Sequence, residues 1–220
     1  MITLAAEIRT WIEDWSDELT RSPLFRLTKA GKLTPRALAV YLESLRYLFK
    51  GSRESLMLAG ERSSRLGYEA FALYFAHKVA EESGHDTWAI DDLARLPRNT
   101  AEGVEPASTI VALVALQRRL IAQHPMCFVA YAQWAEYFTV LVGDAWLEAL
   151  EASGYARSGI SAIAKHVEAD RLHAANGFAE IDRLWEGQPD RATVLGALER
   201  AGCAFLSFCD EIAGVATRAA

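Results

Sequence analysis

The hydrophobic and polar positions of this 220-residue chain show no sustained alternation with a period of two, and six prolines divide the pattern. Proline interrupts helices and strands because it fixes φ and lacks an amide hydrogen. The prolines are residues 23, 35, 97, 106, 125 and 189. The long proline-free spans, 36–96 and 126–188, are rich in Ala, Leu, Glu and Arg, which favour helix. Neither span has an Asn-Gly or Asp-Gly hairpin signal, so the pattern predicts an all-α protein.

The prolines and glycines predict where each helix begins and ends. Thr34 and Pro35 are typical of an N-cap and a first helical residue. No internal repeat, low-complexity segment or change of composition marks a second domain. We therefore expect one domain over residues 1–220, a bundle of about seven helices. The predicted helices cover approximately residues 3–20, 35–65, 68–95, 105–123, 125–152, 158–186 and 190–217.

The composition is that of an ordinary globular protein, with 51% hydrophobic and 24% charged residues. It excludes intrinsically disordered, collagen-like and disulfide-scaffold proteins. The net charge of -6 and the pI near 5.4 argue against nucleic acid or an anionic membrane surface as partner. The first segment carries acids and lacks the pattern of a signal peptide. The three cysteines show no metal-binding spacing, and these features together predict a reduced, cytoplasmic protein.

The fifth predicted helix is apolar nearly all round from 126 to 143, and three polar side chains share one edge of it. These are Gln133, Glu136 and Thr139, at spacings of three. Their presence favours a buried core helix over a membrane span. Glu136 is then a buried carboxylate, which requires a proton, a charged partner or a metal. A structural pair with an Arg of a neighbouring helix and a metal ligand both remain open for Glu136.

The sixth predicted helix carries two imidazoles and a carboxylate on one stripe. His166, Asp170 and His173 follow each other at i, i+4 and i+7, within an arc of about 60° around the helix axis. A solvated polar face is the alternative, but other polar residues already give this helix a solvent face. Those residues are Lys165, Glu168 and Arg171. Imidazole and carboxylate suit non-haem iron or a similar metal, so we interpret the stripe as metal ligands.

The third predicted helix adds Glu82 and His85, spaced i, i+3, on a stripe that continues through apolar residues. Glu81 is spaced i, i+4 from His85 and could replace Glu82 on geometry alone. We otherwise interpret Glu81, with Asp86 and Asp91, as a surface acidic cluster.

Together the three helices offer three carboxylates and three imidazoles, which suit two iron or manganese ions bridged by a carboxylate. A single ion would leave about three of these groups buried without a strong partner. The six candidate ligands are Glu82, His85, Glu136, His166, Asp170 and His173.

These motifs resemble the heme-oxygenase-like di-iron oxidases and oxygenases, which are related in fold to TenA and PqqC. The resemblance rests on Glu-x-Gly-His at 82–85, Glu136 on a later helix, and His-x3-Asp-x2-His at 166–173, and covers about residues 41–184. It implies a seven-helix heme-oxygenase-like bundle with the six residues as ligands of two Fe(II) ions, manganese being a substitute. It also implies O2 as co-substrate, and oxidation or fragmentation of a small carboxylic or amino acid. An external electron donor and a homodimer are further expectations.

Two other functions remain open from the sequence. The first is a TenA-like, thiaminase-type hydrolase with Cys127 as nucleophile, although a buried cysteine is usually a small hydrophobe. The second is a non-catalytic helical protein that binds a metal or a partner. The basic residues of the second helix could hold a substrate carboxylate, although surface ion pairs are the better interpretation for them. They are Arg46, Lys50 and Arg53.

Overall fold

The computed structural model describes residues 2–218, and every regular element in that range is helical, which confirms the all-α prediction. A single turn of 3-10 helix at 157–159 precedes the ninth α-helix. The helices are α1 (Leu4–Thr20), α2 (Pro23–Lys29), α3 (Pro35–Arg65), α4 (Glu69–Glu81), α5 (His85–Arg95), α6 (Arg98–Ala101), α7 (Ser108–Gln123), α8 (Pro125–Ala152), α9 (Ser161–Leu184) and α10 (Arg191–Arg218).

Several helix starts lie where the sequence predicts them. The Thr34 hydroxyl accepts a hydrogen bond from the Ala37 amide at 3.3 Å, and Pro35 is the first residue of α3. Ser22 caps α2 in the same way, with Pro23 in the first turn. The sequence pattern does not predict this short helix, because Pro23 by itself indicates only a boundary.

The predicted third helix is divided into α4 and α5. α4 ends at Glu81, Glu82 is its C-cap, and Gly84 has φ of +89°, in the left-handed region that glycine adopts at little cost. His85 is the first residue of α5. Glu82 and His85 therefore face each other across a helix break instead of along one continuous helix.

α8 lies at the centre of the bundle and contacts α1, α2, α7, α9 and α10. Its buried side chains include Gln133 and Glu136, as the apolar pattern predicts. The approach to α9 is close at Gly143, where an added Cβ would lie 2.4 Å from a γ-carbon of Val167. This close packing brings the middle of α8 against the histidine-bearing stripe of α9.

Asp92 of α5 fixes the beginning of α9. Its carboxylate is fully buried and accepts hydrogen bonds from the Ala162 amide and the Ser161 hydroxyl, each at 2.7 Å. Arg95 pairs with the same carboxylate at 2.8 Å. The contact places His85, at the start of α5, beside α9.

Within residues 2–218, α10 is the one helix whose length and apolar composition would allow it to cross a membrane. In the bundle, 44% of its apolar 18-residue window is buried, and the helix packs against α7 and α8. A core helix of a globular protein meets the same criteria.

Candidate metal centre

The structure brings five of the six predicted ligands together in two triads, to which Glu81 is added. The first triad is Glu82, His85 and His166, and the second is Glu81, Glu136 and His173. Within each triad, one ligand atom from each residue lies within 4.8 Å of the others. Four helix segments supply them: the end of α4, the start of α5, the middle of α8 and the stripe of α9.

The first triad is enclosed by aromatic rings. His85 Nδ1 lies 2.9 Å from Glu82 Oε2, and His166 Nε2 lies 4.0 Å from the same oxygen. Phe49 stacks on the His166 ring at 4.5 Å between centroids, and Trp88 stacks on His85 at 4.2 Å. These contacts fix the planes of both imidazoles.

The second triad contains Glu81, which the sequence assigned to a surface cluster. Glu81 Oε2 lies 4.0 Å from His173 Nε2, although 36% of the Glu81 side chain remains exposed. Successive residues at the end of a helix point about 100° apart. Glu81 and Glu82 therefore reach different triads, so both candidate residues lie at the cluster.

Asp170 belongs to neither triad and connects the two. Its side chain is fully buried, with Oδ2 2.9 Å from His166 Nδ1 and Oδ1 3.7 Å from His173 Nδ1. Because a carboxylate accepts, His166 donates through Nδ1 and keeps Nε2 directed toward Glu82. The geometry thus gives Asp170 the position of an orienting and linking group between the imidazoles.

A lysine that the sequence pattern does not single out contacts both carboxylates of the second triad. Lys78 Nζ lies 2.7 Å from Glu136 Oε1 and 2.8 Å from Glu81 Oε2, with 9% of its side chain exposed. The structural partner that buried Glu136 required is therefore Lys78 of α4, rather than an arginine. The i, i+3 spacing of Lys78 and Glu81 was the available sequence signal.

Burial and charge pairing set the protonation of the cluster. Burial raises the pKa of the Glu136 carboxyl to about 7, and the Lys78 ammonium opposes that rise. Burial alone would lower the pKa of Lys78, but the carboxylates of Glu136 and Glu81 hold it above its usual value. Burial likewise disfavours the charged form of His166, yet Asp170 and Glu82 raise its pKa to about 9.

Several buried polar atoms at the cluster have no hydrogen-bond partner among the described residues. They are Glu136 Oε2, Asp170 Oδ1 and His173 Nδ1. Asp170 Oδ1 and His173 Nδ1 face each other at 3.7 Å, just beyond hydrogen-bond distance, so all three atoms remain available to a ligand. Mixed carboxylate and imidazole donors fit iron or manganese. The residues present therefore fit a metal centre. The contact with the Lys78 ammonium distinguishes the second triad from the first.

Comparison with known proteins identifies the fold. No protein-family model matches the chain, and no curated protein matches it closely. A crystal structure from Shewanella denitrificans, described as a domain of unknown function with a heme oxygenase-like fold, matches with a TM-score of 0.78. The match covers 94% of this chain and 88% of the other, at 21% sequence identity. The chain has a heme oxygenase-like fold. At this identity, the similarity establishes the fold alone.

Within the heme oxygenase-like bundle, a cavity of about 160 Å³ adjoins both triads. Glu82, Glu136, His166 and Lys78 form part of its wall. The remaining wall is mostly aliphatic and aromatic, and includes Leu45, Phe49, Leu56, Tyr131, Phe138 and Trp146. The cluster therefore faces a largely apolar chamber that can hold a small molecule.

The basic residues of α3 that the sequence considered as carboxylate anchors do not line this cavity. Arg46 forms a bidentate ion pair with Glu43, with Nε 2.8 Å from Oε2. Lys50 and Arg53 are likewise outside the wall. For Arg46, the pair with Glu43 is the surface ion pair that the sequence favours over a contact with a substrate carboxylate.

Cys127 is poorly placed for nucleophilic catalysis. The side chain is fully buried at the start of α8 and lies outside the cavity wall. Burial raises the pKa of its thiol to about 11, which leaves little of the reactive thiolate at neutral pH. Cys209 does line the cavity, but burial raises the pKa of that thiol further.

Proposed function

We propose that this protein is a non-haem iron oxidase or oxygenase that uses O2 to oxidise or fragment a small carboxylic acid. One observation carries the proposal. Glu82, His85 and His166 converge beside an apolar cavity, with Glu82 and His166 in its wall, and a second carboxylate-rich triad lies next to them. Two histidines and one carboxylate are the ligand type of non-haem Fe(II) oxygenases.

Iron would be held by residues that already face one another. The first triad supplies one set of ligands, and Glu136, His173 and Glu81, with Asp170 adjoining, supply a second. Iron held there as Fe(II) would supply the reducing electrons for O2 activation, which the side chains of this cluster cannot supply. Manganese is the natural substitute because it accepts the same ligand types.

The protein's own residues prepare this site in three ways. Asp170 holds the tautomer of His166, so that Nε2 is directed toward Glu82 as the ligand atom. Phe49 and Trp88 keep the imidazole planes fixed by stacking. The apolar wall excludes bulk water, which protects reactive oxygen species from quenching.

The cavity wall also favours one kind of substrate within the proposed class. Most of the wall is aliphatic or aromatic, which suits an apolar body. Within the described wall, Lys78 carries a positive charge and lies at the metal cluster, where bound Fe(II) would add further positive charge. A substrate carboxylate would therefore be oriented toward the metals. A carboxylic acid with an apolar chain fits this arrangement better than a polar amino acid does.

The test is anaerobic loading with Fe(II), followed by iron analysis and by measurement of O2 consumption and optical absorption after exposure to O2. We expect His166→Ala and Glu82→Gln to lose bound iron and O2 consumption. His77→Ala is the matched control, because His77 lies exposed on α4, outside the cluster. Normal iron binding by both cluster variants would show that the ligand assignment is wrong. Iron binding without any O2 consumption, with or without candidate acids, would favour the non-catalytic metal protein.

A further inference from the structure

The two triads differ in a way that bears on how many metal ions the protein holds. The first triad contains only ligand-type side chains. The second is already in contact with a cation, because the ammonium of Lys78 bonds to Glu136 Oε1 at 2.7 Å and to Glu81 Oε2 at 2.8 Å. Two of the three members of the second triad thus already share one positive charge from within the protein.

The ammonium contacts the oxygen that a second metal would need. Glu81 Oε2, which bonds to Lys78, is the oxygen that faces His173 Nε2 at 4.0 Å. A divalent ion bound between Glu81, Glu136 and His173 would lie within a few ångströms of the ammonium. At such distances in a buried site, two positive charges repel by several kcal/mol. The ammonium therefore weakens the binding of a metal ion in the second triad.

Lys78 is also held in place. Its side chain is buried, and its ammonium lies 6.0 Å from the centroid of the Tyr74 ring, one turn earlier on α4. Withdrawing the ammonium would leave the buried Glu136 carboxylate without its charged partner, which is strongly unfavourable. A metal ion that enters the second triad must therefore compensate for the lost ion pair between Lys78 and Glu136 before its binding becomes favourable.

We infer that Lys78 serves as a built-in cation in the second triad, so that the protein binds one metal ion tightly at Glu82, His85 and His166 and a second only weakly. The inference rests on the proposed metal centre and specifies its stoichiometry. Lys78 then acts as a positioning residue that decides whether the centre is mononuclear or dinuclear.

The experiment is titration with Mn2+, followed by equilibrium dialysis and by electron paramagnetic resonance. In the wild-type protein we expect one tightly bound ion, with the six-line spectrum of isolated Mn2+. Lys78→Met keeps the unbranched shape and most of the length of the side chain and removes the ammonium. In this variant we expect the affinity for a second ion to rise by about tenfold or more. The spectrum should then show two spin-coupled ions. Lys29→Met, at an exposed position on α2, should behave as the wild type does.

A second variant keeps the inference testable if Lys78→Met fails to fold. Glu136→Gln alters only the second triad, so the single tight ion of the wild type should remain with unchanged affinity, whereas His166→Ala should lose it. Two equally tight ions in the wild type would overturn the inference and leave the proposed function standing. The inference would also be overturned if Lys78→Met left the affinity for a second ion unchanged. It would likewise be overturned if the variant changed substrate binding alone, because Lys78 would then act on the substrate. Absence of any bound Mn2+ or Fe(II) in the wild type would overturn the proposed function itself.

Discussion

Gly143 is the position where a single methyl group should disturb both stability and metal binding. A Cβ at this residue would lie 2.4 and 2.9 Å from the two γ-carbons of Val167 and 3.3 Å from its Cβ. Carbon atoms in ordinary contact lie about 3.5 to 4.0 Å apart. Rotating Val167 gives little relief, because both γ-carbons are too close and valine in a helix strongly prefers one rotamer. Gly143→Ala must therefore push α8 and α9 apart by roughly 1 Å.

The expected magnitude follows from two opposing effects. Overpacking a core contact costs about 1 to 3 kcal/mol. Replacing glycine by alanine inside a helix returns about 1 kcal/mol of that. The net loss in the free energy of unfolding is thus up to about 2 kcal/mol. The same displacement moves His166, the neighbour of Val167, relative to Glu82 and His85 of the first triad, so metal affinity should fall by about tenfold or more.

Urea unfolding and Mn2+ titration measure both effects. The matched control is Gly196→Ala in α10, where an added Cβ meets only the end of the Arg200 side chain at 3.5 Å. The control should gain up to about 1 kcal/mol from helix propensity and bind metal normally. Adding Val167→Ala to Gly143→Ala removes both clashing γ-carbons and should restore metal affinity. A Gly143→Ala protein as stable as the Gly196→Ala control, with unchanged affinity, would refute the close packing of α8 on α9.

Three further predictions concern helix capping and the cysteine. Asp92→Ala removes the acceptor of the Ala162 amide and the Ser161 hydroxyl, so thermal unfolding should show a loss of about 1 to 3 kcal/mol; an unchanged melting temperature would contradict this role in α9. Glu211 accepts hydrogen bonds from the amides and hydroxyls of Ser108 and Thr109 at the start of α7. Partial burial raises the pKa of this carboxyl, but the hydrogen bonds outweigh burial and lower the pKa below the ordinary 4.5. Because the folded-state pKa is lowered, the stabilisation is present above pH 4.5 and is lost as the pH falls through the folded value. Urea unfolding should therefore show a deficit of about 1 kcal/mol for Glu211→Gln at neutral pH that shrinks in acid, and a deficit independent of pH would count against the carboxylate. Cys127→Ala should retain O2 consumption once an active substrate is found, whereas loss of activity in a metal-free preparation would revive the hydrolase.

Much of the candidate site could be predicted because helical spacing is a local property. The i, i+4, i+7 pattern of His166, Asp170 and His173 places them on one stripe wherever α9 packs. The burial of Glu136 follows from the apolar residues around it on α8. The proline positions mark helix starts for the same local reason, as Pro35 and Pro125 show.

Other features depend on contacts between distant segments. The helix break at Gly84 separates Glu81 from Glu82 and sends their carboxylates to different triads. The ion pair of Lys78 with Glu136 joins residues 58 positions apart, and no spacing rule connects them. Asp170 could be recognised as inward-facing, but its place between two imidazoles depends on how α9 meets α5 and α8.

The sequence by itself determined the helical class, the approximate helix ends and the identity of the six inward carboxylates and imidazoles. Each of these depends on periodicity, capping or burial within one segment. Only the tertiary structure decided that most of the candidate ligands lie in two triads, that Glu81 joins them, and that a lysine contacts the second. Those outcomes depend on distances of a few ångströms between α4, α5, α8 and α9, which close packing of the helices sets and which no single helix encodes.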